Sequence, residues 1–340
     1  MKVTGLLFGL LFFSFSLSPL FSQELLDRVQ ENFKGVETVS IKGAFCTTEI
    51  VSGSDAEVSM EGEIRSVRRY QDLRIRYAQT GSQLDVWIEQ PCNTTGQIRG
   101  LLMLTVPAQT RVEVSNLSGS ISIDGLGNSP CTLETLSGDV ELKNIMGALK
   151  VNTTSGDING VMLGGDVYAH SVSGNITMKD IQGGCHLSSV SGNVRVSSAL
   201  NGVGLSTTSG NISLADVMGI AEVRSVSGEI AVTRLKGNAV ATSSSGGIRL
   251  DGVVGKLDLT TSSGAIRGQQ VMLTEHSSFK NGSGNIDITL SNDPETLSFD
   301  LKTSSGRIDV YGRKSDKPLK KGDGVIRVIG VTTSGNQSYR

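Results

Sequence analysis

Between Cys131 and Arg267 apolar and polar residues alternate in short bursts, and the bursts recur with a fixed period. Val140 and Leu142, Leu149 and Val151, Val167 and Ala169, Ile176 and Met178, and Cys185 and Leu187 all fall two apart with polar neighbours. Alternation of this kind predicts strands with one side inward, because successive strand residues face opposite ways. Ser-Gly pairs separate the bursts at Ser137, Ser155, Ser173, Ser191, Ser209, Ser227, Ser245 and Ser263, each 18 residues after the last. Glycine also recurs halfway, at Gly147, Gly165, Gly183, Gly219, Gly237 and Gly255, with Asn201 the exception. The unit is therefore a nonapeptide, two per coil.

One nonapeptide cannot bury its apolar stripe, whereas stacked copies bury it against one another. The pattern predicts an all-β fold, a single-stranded parallel β-helix (solenoid) with 18-residue coils made of two nonapeptides. A right-handed winding follows from the general handedness of parallel crossovers, and a period of nine favours two faces over three. Roughly eleven coils at about 4.8 Å each give a rod of about 50 Å. The corner glycines are expected both to tolerate positive φ and to leave room for stacking. Three residues before each Ser-Gly glycine stands a hydroxyl: Thr135, Thr153, Ser171, Ser189, Thr207, Ser225, Ser243 and Thr261. After the glycine come Asp139, Asp157, Asn175, Asn193 and Asn211. A column repeated in every coil reads as an axial hydrogen-bond ladder rather than a ligand-binding face.

Three segments are expected. Residues 1–22 read as a signal peptide: Lys2, an apolar run from Leu6 to Phe13, a Ser-rich tail with Pro19, and cleavage after Ser22. Residues 23–115 read as an N-terminal helix and an irregular β cap, the helix predicted from Leu25, Leu26, Val29 and Phe33. The cap would hide the first open sheet edge. Residues 116–340 form the β-solenoid repeat domain. The basic residues Arg313, Lys314, Lys317, Lys320 and Lys321, like Arg65, Arg68, Arg69, Arg74 and Arg76, read as solvated edge gatekeepers.

Composition agrees with a β repeat. Glycine is 42 of 340 residues while proline is 6 and aromatics 4%, which excludes collagen and proline-rich disorder. Lys+Arg 31 against Asp+Glu 33 leaves a formal charge of -2, so no global field draws the chain to nucleic acid. No second apolar run of spanning length follows the signal segment, so the mature chain is expected to carry no transmembrane segment. Export to the periplasm, the cell surface or the medium permits disulfides. Counting from Gly138, Cys131 and Cys185 take the same inward offset three coils apart, about 14 Å, beyond the roughly 7 Å reach of a disulfide. Both are expected to be buried thiols, which leaves Cys46 and Cys92 to pair.

No catalytic, cofactor or metal constellation emerges. His170, His186 and His276 are the three histidines, the first two facing outward by the repeat offsets, so a Ser/His/Asp proximity carries little weight. Calcium-binding nonapeptides need an aspartate at a fixed place in a glycine-rich turn, which Gly174 to Lys179 lacks. Polysaccharide-binding or polysaccharide-cleaving β-helices are expected to show aromatic platforms or a carboxylate and basic cluster. Between Gly119 and Ser278 the one aromatic is Tyr168.

Ser171 to Met178 and Ser189 to Val196 carry the motif Ser-Val-Ser-Gly-Asn-Ile/Val. Ahead of them stand Leu104-Thr105-Val106-Pro107, Val112-Glu113-Val114 and Leu117-Ser118-Gly119, and Thr332-Thr333-Ser334-Gly335 closes the chain. Over residues 36–340 this resembles the bacterial "putative adhesin" domain family of β-strand repeats, a domain of unknown function. The resemblance implies a non-enzymatic cell-envelope or surface protein with a structural or adhesive role, and it offers no catalytic residues. Envelope or extracellular glycans or surface proteins are the expected partners, bound through the repetitive side surface. The alternative is a polysaccharide-binding or polysaccharide-cleaving β-helix.

Overall fold

The computed structural model describes residues 23–90 and 97–340. The predicted signal peptide, and Cys92 of the expected disulfide, lie outside the described residues. Two long sheets of 18 and 16 strands, here sheet A and sheet B, face each other across one hydrophobic core. In each regular coil a sheet B strand such as Cys131–Thr135 turns at Ser-Gly into a sheet A strand such as Val140–Ile145. The next corner glycine returns the chain to sheet B at Leu149–Thr153. Every such strand pairs in parallel with its copy 18 residues on, as in Val140↔Ile158 and Leu149↔Val167. The cross-section is thus two-faced, and the inward columns are the residues that alternation marked, among them Val140, Leu142, Leu149 and Val151.

Glycine at the Ser-Gly corner answers crowding, not torsion. None of these glycines from Gly138 to Gly264 has a left-handed φ. A Cβ on Gly192 would fall 1.9 Å from the Gly174 carbonyl oxygen of the preceding coil. The expectation of positive φ there is corrected accordingly. Left-handed backbone appears elsewhere, in a column at Asn144, Met162, Asp180, Ser198, Asp216, Arg234, Gly252 and Gln270. At Asn144 and Met162 the parallel register skips a residue, from Lys143↔Val161 to Ile145↔Leu163. This bulge reverses the inward parity, so that Leu142 and Ile145 are both buried.

The predicted helix is a strand. Glu24–Lys34 runs antiparallel to Glu57–Ser66, from Glu24↔Ser66 to Lys34↔Glu57. Backbone pairing with a distant strand overrides an apolar spacing that, over ten residues, also suits a helix. Nor is the region before residue 116 a separate irregular cap. Thr38–Ala44 and Cys46–Gly53 form one coil, and Gln83–Glu89 and Ile98–Pro107 another, in the same two sheets.

The order of these coils in space differs from their order in the chain. Thr38–Ala44 lies between Gln83–Glu89 and Arg111–Asn116, and Cys46–Gly53 between Ile98–Pro107 and Ile121–Asp124. The same threading closes the other end. Ile326–Ser334 lies between Ser277–Ser283 and Leu297–Ser305, and Gln337–Tyr339 between Ile286–Leu290 and Ile308–Val310. The first and last parallel coils of the described chain are thus each sandwiched one coil inside the stack.

Antiparallel strands cover the outermost coils: Glu24–Lys34, Glu57–Ser66 and Arg74–Thr80 at one end, Arg313–Ser315 and Leu319–Lys321 at the other. Without Arg74–Thr80 and Leu319–Lys321, the 16 strands of sheet B leave fourteen parallel rungs. The rod is therefore about 60 Å long rather than 50 Å, at about 4.8 Å per rung, because coils also form on both flanks of the regular repeat.

Candidate functional site

The repeated polar columns are consumed by the fold. Ser189 Oγ accepts the Gly192 N–H at 2.9 Å and donates to the Gly174 carbonyl at 3.2 Å. Thr135, Thr153, Ser171, Thr207, Ser225, Ser243 and Thr261 likewise accept from their own corner glycines. These hydroxyls are buried, so each satisfies backbone that water cannot reach. The Asx column is a second ladder. Asp139 accepts the Asp157 N–H at 2.9 Å, Asp157 that of Asn175 at 2.7 Å, Asn175 that of Asn193 at 3.0 Å, and Asn193 that of Asn211 at 2.9 Å.

The thiols are placed as the offsets required. Cys131, Leu149, Val167 and Cys185 form one inward column of successive parallel partners, with both cysteines free and buried. Burial pushes both thiols up to about 12, and Cys46, also buried, to the same value. Thiols held protonated are inert as nucleophiles at neutral pH.

The clustered cations stand at the ends of the stack. Arg65 pairs with Glu63, Arg69 with Glu24, Arg74 with Asp27 and Arg76 with Glu89. Arg313, Lys314, Lys320 and Lys321 lie on the closing antiparallel strands, and Lys321 stands 5.3 Å over the Tyr311 ring. Edge protection is what lysines and arginines on outer strands provide.

A recess interrupts this regular surface on sheet B. It lies on the outer side of sheet B, with a volume of about 590 Å³. The outward column there reads Lys150, Tyr168, His186, Gly204, Glu222 in successive rungs. Tyr168 and His186 stack face to face, centroids 5.2 Å apart and planes 9° from parallel. The rung spacing brings the rings into contact, because neighbours in a parallel column stand directly above one another.

Gly204 then supplies no side chain, and a Cβ there would fall 3.0 Å from His186 Cδ2. The adjacent column reads Asn152, His170, Ser188, Ser206, Arg224, with Nδ1 of His170 2.8 Å from Ser188 Oγ. At the corner beside the recess stand Asn201, Gly202 with φ 75°, and Ile220. The side chain of Asn201 donates to the Gln182 carbonyl at 2.7 Å.

His170 and His186 are thus outward and adjacent, whereas His276 accepts the Arg327 N–H at 3.1 Å near the closing end. Among the described residues no group of three or more His, Cys, Asp or Glu is arranged to hold a metal ion. No helix among them is long and apolar enough to cross a membrane. The recess itself was not read from the sequence, although two signals marked it. Asn201 breaks the half-coil glycine column, and Gly204 replaces a side chain inside a strand.

The model of the Toastrack DUF4097 family matches residues 93–180 and 166–336. The chain belongs to this family. The Toastrack match covers the recess and the whole regular repeat. No curated protein matches the chain. Among solved structures it is similar to "a putative cell adhesion protein" from Clostridium sporogenes, at 11% identity and a TM-score of 0.21, covering 94% of this chain and 99% of that one. It is also similar to "a putative adhesin" from Parabacteroides merdae, at 12% identity and a TM-score of 0.28, covering 77% of this chain and 96% of the other.

Proposed function

We propose that this Toastrack protein is an exported, non-enzymatic solenoid of the bacterial cell envelope or surface, with a structural or adhesive role exercised through its side surface. The observation that carries the reading is the fate of the polar columns. Ladders such as Asp139–Asp157–Asn175–Asn193 and the buried hydroxyls at Ser171 and Ser189 are spent on holding rungs together. They leave a long stiff side face whose outward residues are free to vary. A molecule built this way presents area and persistence, which suit attachment and spacing. The buried thiols of Cys131 and Cys185 are held protonated and add no nucleophile to that face. Envelope or extracellular glycans and surface proteins are the partners that such a face would meet.

The test is fractionation of the producing cell combined with N-terminal sequencing of the recovered protein. The expected result is a chain starting near Gln23 that sediments with envelope material and is cleaved when intact cells are treated with protease. A cytosolic chain retaining Met1 would overturn the reading. So would turnover of uronate polymers by the purified protein that disappears when one acidic residue is replaced.

A further inference from the structure

We infer that the recess at Gly204 is a carbohydrate subsite, shaped for one or two pyranose rings carrying an anionic group such as a uronate carboxylate. The inference deepens the adhesive reading above, since it names what the side face would hold. Its first support is shape. The stacked pair Tyr168 and His186 offers flat rings standing out from the sheet, Tyr168 being 52% exposed. The missing side chain at Gly204 opens the surface immediately beyond the imidazole, and at about 590 Å³ the recess falls in the range of small-ligand sites.

Chemistry around the rings is the second support. A pyranose presents C–H groups on its faces and hydroxyls on its edges, so it packs on an aromatic face while its edge seeks donors and acceptors. The recess matches both demands. Ile220, 58% exposed, adds an apolar rim, while Ser188, Ser206 and Asn152 add hydroxyl and amide groups. The charges decide the sign of the ligand. Arg224 shares a rung with Glu222 directly beside Gly204, while Lys150 stands three rungs from Gly204 on the far side of the Tyr168 and His186 rings. Arg224 is therefore the cation within reach of a ring seated at Gly204, and a guanidinium favours a planar carboxylate partner. A nucleic acid fits less well, because single strands are held by successive aromatic platforms along a basic groove and Tyr168 is the one Phe, Tyr or Trp between Gly119 and Ser278.

The site also differs from its surroundings in the right way. Elsewhere the outward column carries side chains at every rung, such as Val240 and Asp258 beyond Glu222. Gly204 is not required by packing of the corner, since it lies inside the strand Val203–Thr207 on the outward side.

The experiment is titration calorimetry of the purified mature chain with a galacturonate trimer, with neutral maltotriose and with a single-stranded oligonucleotide, repeated on three variants. We expect the galacturonate trimer to bind at least tenfold more tightly than maltotriose. Gly204→Leu, which fills the recess from a position where leucine is exposed, should weaken that binding at least tenfold. Arg224→Ala should abolish the preference for the acidic sugar, and Arg267→Ala on sheet A should change nothing. Equal binding by all variants, no binding of either trimer, or tighter binding of the oligonucleotide would overturn the inference. Wild-type cell-envelope association retained by Gly204→Leu, with no trimer bound by the parent, would refute the subsite and leave the adhesive reading standing.

Discussion

Val39 and Val112 are partners in parallel register, although the chain between them completes its own coil, makes two antiparallel strands and lays down a further rung on the far side. Val328 is held in the same way, paired with Ser277 on one side and Phe299 on the other. A solenoid with open ends loses its last rungs first, since an outermost rung has only one neighbour. Here the first and last parallel coils, at Thr38–Ala44 and Ile326–Ser334, have two. The outermost rungs are internal segments, and Tyr339 packs its ring against Phe279 and Phe299 with centroids at 6.1 and 5.6 Å.

Native-state hydrogen exchange should show the consequence. Amides of Thr38–Ala44 and Ile326–Ser334 are expected to exchange at rates close to those of the central rungs, and more slowly than those of the edge strands Arg74–Thr80 and Leu319–Lys321. Fastest exchange in the two sandwiched strands would mean that they do not occupy the interior rungs.

Corner glycines should be among the least replaceable residues in the chain. Gly192→Ala places a methyl 1.9 Å from the Gly174 carbonyl oxygen, so two rungs must separate. The expected loss is more than about 3 kcal/mol, in line with overpacking against rigid backbone. Gly81→Ala meets nothing within 4 Å and strains only a left-handed φ of 61°. It should cost about 1–2 kcal/mol. Urea unfolding of the two variants compares them directly, and equal losses would show that crowding is not what selects glycine at Ser-Gly.

Alkaline pH should weaken the fold through the two column thiols. Cys131 and Cys185 sit near 12 in the folded chain against an ordinary 9.0, so the unfolded chain releases their protons first. Their contribution is intact below pH 9 and declines from there toward pH 12, with a slope of about 1.4 kcal/mol per pH unit for each thiol. Stability measured against pH for the parent and for Cys131→Val with Cys185→Val isolates this part, because valine already occupies the same column at Val167 and Val203. Parallel curves for the two proteins would contradict the burial. Both thiols should react with an alkylating reagent after denaturation alone, and a non-reducing peptide map of the same sample tests the Cys46–Cys92 pairing proposed from the sequence.

The sequence by itself determined the repeat, the direction of its side chains up to the bulge in each coil and the separation of Cys131 from Cys185. Those features follow from local periodicity: a residue two places from Val140 must face the same way, and a residue 18 places on must lie above it. The hydrogen-bond role of the Ser189 and Asn193 columns was legible for the same reason. Three things were decided by the tertiary structure alone. Glu24–Lys34 is a strand because Glu57–Ser66 lies beside it, and no spacing within ten residues reports a distant partner. The order of rungs at both ends depends on which exposed sheet edges meet, a non-local choice that short-range alternation does not encode. The recess at Gly204 exists because four outward residues, Tyr168, His186, Glu222 and Arg224, come from three different rungs around it; each looks ordinary in the chain, and stacking makes them neighbours.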